Sequence, residues 1–156
     1  MATIKQKSLK PSTNVPFGQG MLVYNGTGSA IAADKLVSFT SGVNGVQAKI
    51  VLAPVATSDA AVKGQSLMVT KHRIPTGKSG VVLPWKIIDH DTSSGFTTSA
   101  TGWVYLSDAE AGGFAGSAPG SSKDRVVGLC LVEQAAGITG KILLAPYMFG
   151  HVTSAN

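Results

Sequence analysis

Charge is scarce in this chain. Only 13% of its 156 residues are Asp, Glu, Lys or Arg, against the ~25% usual in globular proteins. A surface that poor in charge, and rich in Gly, Ser, Thr and Ala, suits a protein packed against neighbours. Cysteine is nearly absent: Cys130 stands alone, so no internal disulfide forms. It lies in the apolar run Val126 to Val132, where a small buried core residue is the expectation. A catalytic thiolate needs an electropositive, partly exposed setting. Arginine is limited to Arg73 and Arg125. That argues against direct nucleic-acid readout, which favours the guanidinium fork.

Long apolar runs are also missing. The longest are about seven residues, far short of the ~20 that span a bilayer as a helix, and no membrane partner is expected. Residues 1–20 contain no apolar h-region, so no signal peptide is read there. The expectation is a chain made and kept in a cytoplasm, unless it leaves inside a particle. Nor is there sustained helical periodicity or an internal repeat.

The net charge is +5 and the isoelectric point about 9.5. A nucleic-acid binder gathers such charge into a stripe. Here Lys35, Lys49, Lys63, Lys71, Lys86, Lys123 and Lys141 are scattered. Attraction to an acidic protein surface is what this distribution fits. The denser groups are Lys5, Lys7 and Lys10, and Lys71 to Arg73 with Lys78.

Residues 1–20 read as an extended basic arm. Pro11 and Pro16 exclude a helix interior or a central strand. The arm is either a frayed terminus or a segment that docks on a neighbour. The candidates for such contact are Lys5, Lys7, Lys10, Pro11, Pro16 and Phe17.

Residues 21–156 read as one all-β domain, a β-sandwich, jelly roll or small barrel. Met21 to Tyr24 ends at the turn dipeptide Asn25-Gly26, and Lys35 to Thr40 ends at Ser41-Gly42. Asn44-Gly45 marks a second turn before Val46 to Ile50, which alternates with period two. Thr57 to Gly64 is the one short helix expected, with Ser58 or Asp59 capping it. Strands follow at Ser66–Thr70, Gly80–Ile88, Gly102–Ser107, Arg125–Glu133 and Lys141–Met148. Pro84 marks an edge or bulge in the long strand it interrupts. Eight or nine strands with frequent turns, and 19 glycines, fit those architectures.

Chemistry is hard to find. Gly77-Lys78-Ser79 ends like a phosphate-binding loop, but the required upstream glycine is His72 and a strand follows where a helix must start. Asp89-His90-Asp91 offers metal-ligand types, yet in an extended chain His90 points away from both aspartates. His72 and His151 have no ligand spacing to it, and a solvated loop is the plainer reading. The aspartates could also serve a subunit contact, for instance with Lys86. Serine is common, but no Gly-x-Ser-x-Gly elbow occurs. Asp108 with Glu110, or Asp89 with Asp91, could be paired carboxylates, which any β protein offers. Trp85, Trp103, Tyr24 and Tyr105 could stack on a base or sugar, though such residues more often pack. No catalytic, cofactor or metal site is assigned, and an enzyme is not expected.

One stretch is more specific. Gly102-Trp103-Val104-Tyr105-Leu106-Ser107-Asp108-Ala109-Glu110-Ala111-Gly112-Gly113-Phe114 is followed by Ser117-Ala118-Pro119. Asp124-Arg125-Val126-Val127-Gly128-Leu129-Cys130-Leu131 then completes it. Together they resemble a module of small head-decoration (cement) proteins of tailed bacteriophages: a strand, a glycine turn, a short strand and a valine-rich buried strand. Upstream, residues 64–83 are similar to the approach to that module. The departures are Cys130, Trp103 and the loop from Asp89 to Ala100. The N-terminal third has no counterpart. The resemblance implies a structural virion protein on the capsid exterior, a homotrimer at three-fold or quasi-three-fold positions. Its partner would be the major capsid protein, whose subunits it bridges and cements, with no cofactor. The same module occurs in tail and fibre components. The alternative is therefore a tail or fibre part, or a receptor-binding module recognising host glycan.

Overall fold

The structure is a computed structural model that describes residues 20–44, 47–53, 66–90, 102–118, 125–133 and 139–149. The arm up to residue 19, with Lys5, Lys7, Lys10, Pro11, Pro16 and Phe17, lies outside the described residues. So do the short helix expected at Thr57 to Gly64 and most of the 89–100 loop. The described chain is all-β, as expected, and contains no helix.

Five strands form a closed barrel: β1 (Met21–Asn25), β2 (Leu36–Asn44), β3 (Gln47–Leu52), β4 (Leu67–Thr70) and β5 (Ser79–Leu83). Their order is β1-β3-β2-β4-β5, and β1 closes the barrel on β5. The β1–β3 pair is parallel and every other barrel pair antiparallel. Five more strands form a second sheet: β6 (Lys86–His90), β7 (Trp103–Leu106), β8 (Phe114–Ala115), β9 (Val126–Val132) and β10 (Gly140–Leu144). Their order is β6-β10-β9-β7-β8.

Two cores follow from the alternation along β2 and β4. Val37 joins Val23, Ile31, Ile50, Ile74 and Val82 inside the barrel, with Met68 packed against them. Leu36, Leu67 and Val69 point the other way, onto Ile88, Val104, Leu106, Val127, Ile142 and Leu144 of the second sheet. Strands covered on both faces need apolar residues at successive positions, and Leu36-Val37 and Leu67-Met68-Val69 supply them.

Three expectations are corrected. The strand read from Gly80 to Ile88 is two strands in different sheets. Pro84, which lacks an N–H, sits between β5 and β6 where the chain changes sheet. Ser41-Gly42 does not end a strand: β2 runs through to Asn44, and its register on β3 shifts between Phe39 and Val43, as at a bulge. The last strand stops at Leu144 rather than Met148, because Ala145 to Phe149 turns ahead of and after Pro146.

The glycine turn joins the two sheets. Gly112 has φ of +70°. Its N–H donates to Ala53 O at 2.7 Å, and its carbonyl accepts from Leu36 N at 2.8 Å. A Cβ there would meet Leu36 O at 2.8 Å and Leu52 at 2.7 Å. The β7–β8 turn is thus seated between the ends of β2 and β3.

Candidate functional site

The candidate chemistry disperses. Ser79 opens β5 directly after the Gly77-Lys78 turn, so no helix N-terminus stands there to cradle phosphate. Asp89 pairs with Lys141 at 2.6 Å, and Lys86 pairs with Asp34, not Asp89. Glu110 pairs with Lys35, and its N–H is held by Ser107 Oγ at 3.0 Å. Among the described residues no three His, Cys, Asp or Glu side chains are grouped as a metal site. Cys130 is half-buried rather than buried. Tyr24 belongs to the barrel, while Trp103 and Tyr105 share β7 and Trp85 lies at the crossing between sheets. They form no common platform; the ring partner of Trp103 is Phe149, edge-on at 5.8 Å. Arg125 is buried at the start of β9, and its pKa is lowered by desolvation.

What the structure assembles instead is a surface. The inner face of the second sheet holds Ile88, Val104, Ile142 and Leu144. The alternate positions face outward. Ile87 pairs with Leu143, Leu143 with Leu129, and Leu129 with Trp103. These four side chains form one row across β6, β10, β9 and β7, spanning about 14 Å at the usual strand spacing of ~4.8 Å. Further along β9, Val132 pairs with Lys141 across a register shift that takes in Leu131, and both apolar side chains are exposed. After β10 the turn brings Phe149 against Trp103 and leaves Tyr147 and Met148 67% and 65% exposed.

From its residues, Val126 to Val132 is expected to be a buried strand. Its first half is buried, but Leu131 and Val132 are open. The signal was present: a strand apolar on both faces is made to be covered on both, and the described chain covers only one.

Charge separates in the same way. Among the described residues the barrel half carries Lys35, Lys49, Lys71, Arg73 and Lys78 against Asp34 alone. In the second-sheet half, Lys86, Arg125 and Lys141 are set against Asp89, Asp108, Glu110 and Glu133. Among the described residues, then, the barrel half is basic and the second-sheet half is near neutral.

No family model matches the chain, and comparison with curated proteins and with solved structures finds no match either.

Proposed function

We propose that this protein is a structural virion protein that decorates the assembled capsid of a tailed phage and cements it by bridging major capsid protein subunits. The observation that carries the reading is the module from Gly102 to Leu131, whose residues resemble head-decoration proteins. In support, its segments fall on β7, a glycine turn, β8 and the valine-rich β9. The role is mechanical, on the capsid exterior, and the protein acts as a homotrimer. A partner that binds only the assembled shell stabilises it by its binding free energy. Several simultaneous contacts raise avidity by ~10²–10⁴ over one. The basic barrel half, with Lys5, Lys7 and Lys10 of the arm, supplies attraction to an acidic shell surface.

A second reading, a tail or fibre part that grips host glycan, draws on Trp103, Phe149 and Tyr147. It is the weaker one, because the register neighbours of Trp103 are aliphatic.

The test is to add the purified protein to DNA-filled heads lacking it and image them by cryo-electron microscopy. Symmetric density at lattice three-folds is expected; bare heads would remove the reading and turn attention to glycan binding. Deleting residues 2–16 is expected to weaken head binding at least tenfold, as loss of one of several linked contacts does, while the far-UV circular dichroism stays β-type. Equal binding by the truncated chain would discard the arm as a capsid contact.

A further inference from the structure

We propose that residues 13–19 of this chain's own arm add to the open edge of β6, as a further strand of the second sheet, and cover Trp85 and Ile87. This contact lies within one chain and holds or fails apart from the cementing reading.

The path of the chain points there. β1 runs antiparallel to β5, with Met21 opposite Val82 and Leu22 opposite Val81. Followed backward from Met21, the chain therefore heads the way β5 does when followed forward, towards Leu83 and the crossing into β6. Gly20 is still against β5: a Cβ on it would meet Val82 O at 2.5 Å and Leu83 Cδ2 at 2.7 Å. Strands pass from one sheet to another at bends and bulges. Pro84 and Trp85 make that bend in one strand of the pair. Gly20, with φ of +91°, stands at the same level of the other.

The edge that the chain then meets is open on one side. β6 ends its sheet and pairs with β10 alone among the described strands. An edge strand offers backbone N–H and C=O groups to a further strand. Trp85 and Ile87 there are 39% and 49% exposed. The five residues of β6 extend about 17 Å, and the stretch from Thr13 to Gln19 reaches ~24 Å when extended.

The residues of that stretch suit an edge. A bulge at a left-handed glycine adds one residue to its own strand, which sets Phe17 opposite Trp85 and Val15 opposite Ile87. Pro16 falls between them. Having no N–H, it fits an edge strand only with its nitrogen turned outward. Val15 and Phe17 then make the hydrogen bonds to β6, as alternate residues do in an antiparallel pair. Pro11, five places before Pro16, falls on the bonded side, so pairing stops short of it. Lys5, Lys7 and Lys10 lie ahead of the anchored segment and are left to reach a shell, while Phe17 becomes an internal contact.

Amide exchange of the full chain, followed by NMR, is the test. Val15 and Phe17 are expected to be protected about a hundredfold more than Asn14 and Gly18, as bonded strand amides are against open ones, and to stay so on dilution. In Phe17→Asp the amides of Lys86–His90 are expected to exchange about tenfold faster, while those of β4 keep their rates. Val15 and Phe17 exchanging as fast as Asn14 and Gly18, or β6 exchange unchanged in Phe17→Asp, would overturn the proposal. So would protection of Val15 and Phe17 that is lost on dilution, which would give the β6 edge to the arm of another copy. Protection that arises only when phage heads are added would overturn it too, and give the segment to capsid protein.

Discussion

The hydrogen bonds of Asn25 explain why a residue from a turn dipeptide is fully buried. Its Nδ2 donates to Ser29 O at 2.9 Å and to Ile74 O at 3.0 Å, and its Oδ1 accepts from Thr27 N and Thr27 Oγ1. Beside it Ile31 and Ile74 exchange backbone hydrogen bonds, so one amide ties the loop after β1 to the loop before β5. Asn25→Asp removes both donations and sets a carboxylate against two carbonyls. The expected cost is about 2–4 kcal/mol, read from the urea midpoint; a loss below 0.5 kcal/mol, the ordinary scatter of surface changes, would mean that water replaces the amide. Gly112 is a second residue at which the backbone leaves little room for a substitute. Gly112→Ala forces a side chain into a left-handed backbone and against Leu36 O. It is expected to cost about 2–4 kcal/mol from strain and overpacking combined, measured in the same way. A neutral result would show that the turn is not seated between β2 and β3.

Elements differ in how legibly they were written. Met21 to Tyr24, Ser66 to Thr70 and Gly102 to Ser107 were readable as strands because β-branched and aromatic residues lie between turn residues. Their partners were not readable. Asn25-Gly26 looks like a hairpin turn, yet β1 pairs with β5 and, in parallel, with β3, because pairing at this range is decided by packing rather than by the turn. Pro84 was legible as an interruption, but whether a proline marks an edge, a bulge or a change of sheet depends on where the next strand goes. The apolar row was hidden for a related reason: Ile87, Leu143, Leu129 and Trp103 come from four separate strands, and only the register lines them up. Gly128 shows how tightly that register is held. A Cβ on it would lie 2.1 Å from Leu143 O, so β9 meets β10 only through a glycine there. Gly128→Ala is expected to push the two strands apart, at about 1–3 kcal/mol, and to speed amide exchange in Gly140–Leu144 more than in β4. Uniform acceleration across both sheets would refute a local effect.

For the whole molecule, the separation of a basic barrel from an apolar sheet face predicts two kinds of contact with different salt dependence. Exposed charges act over a Debye length of about 8 Å at physiological ionic strength and about 3 Å at 1 M, so a contact made by the barrel half weakens as salt rises. A contact made by the apolar face does not. If the chain binds heads as proposed and does so through the barrel half, its association rate is expected to slow by about tenfold between low and high salt, within the range of electrostatic steering. Lys49→Glu/Lys78→Glu should reproduce much of that slowing at low salt. Both lysines lie on the barrel, and neither side chain appears in the ion pairs of Lys35, Lys86 and Lys141, so the fold should be kept. Dissociation should change less than association, since rim charges act mainly on encounter. Surface plasmon resonance on immobilised heads separates the two rates. If association is insensitive to salt while Ile87→Asp abolishes binding, the sheet face, not the barrel, makes the head contact, and the barrel-docking prediction fails.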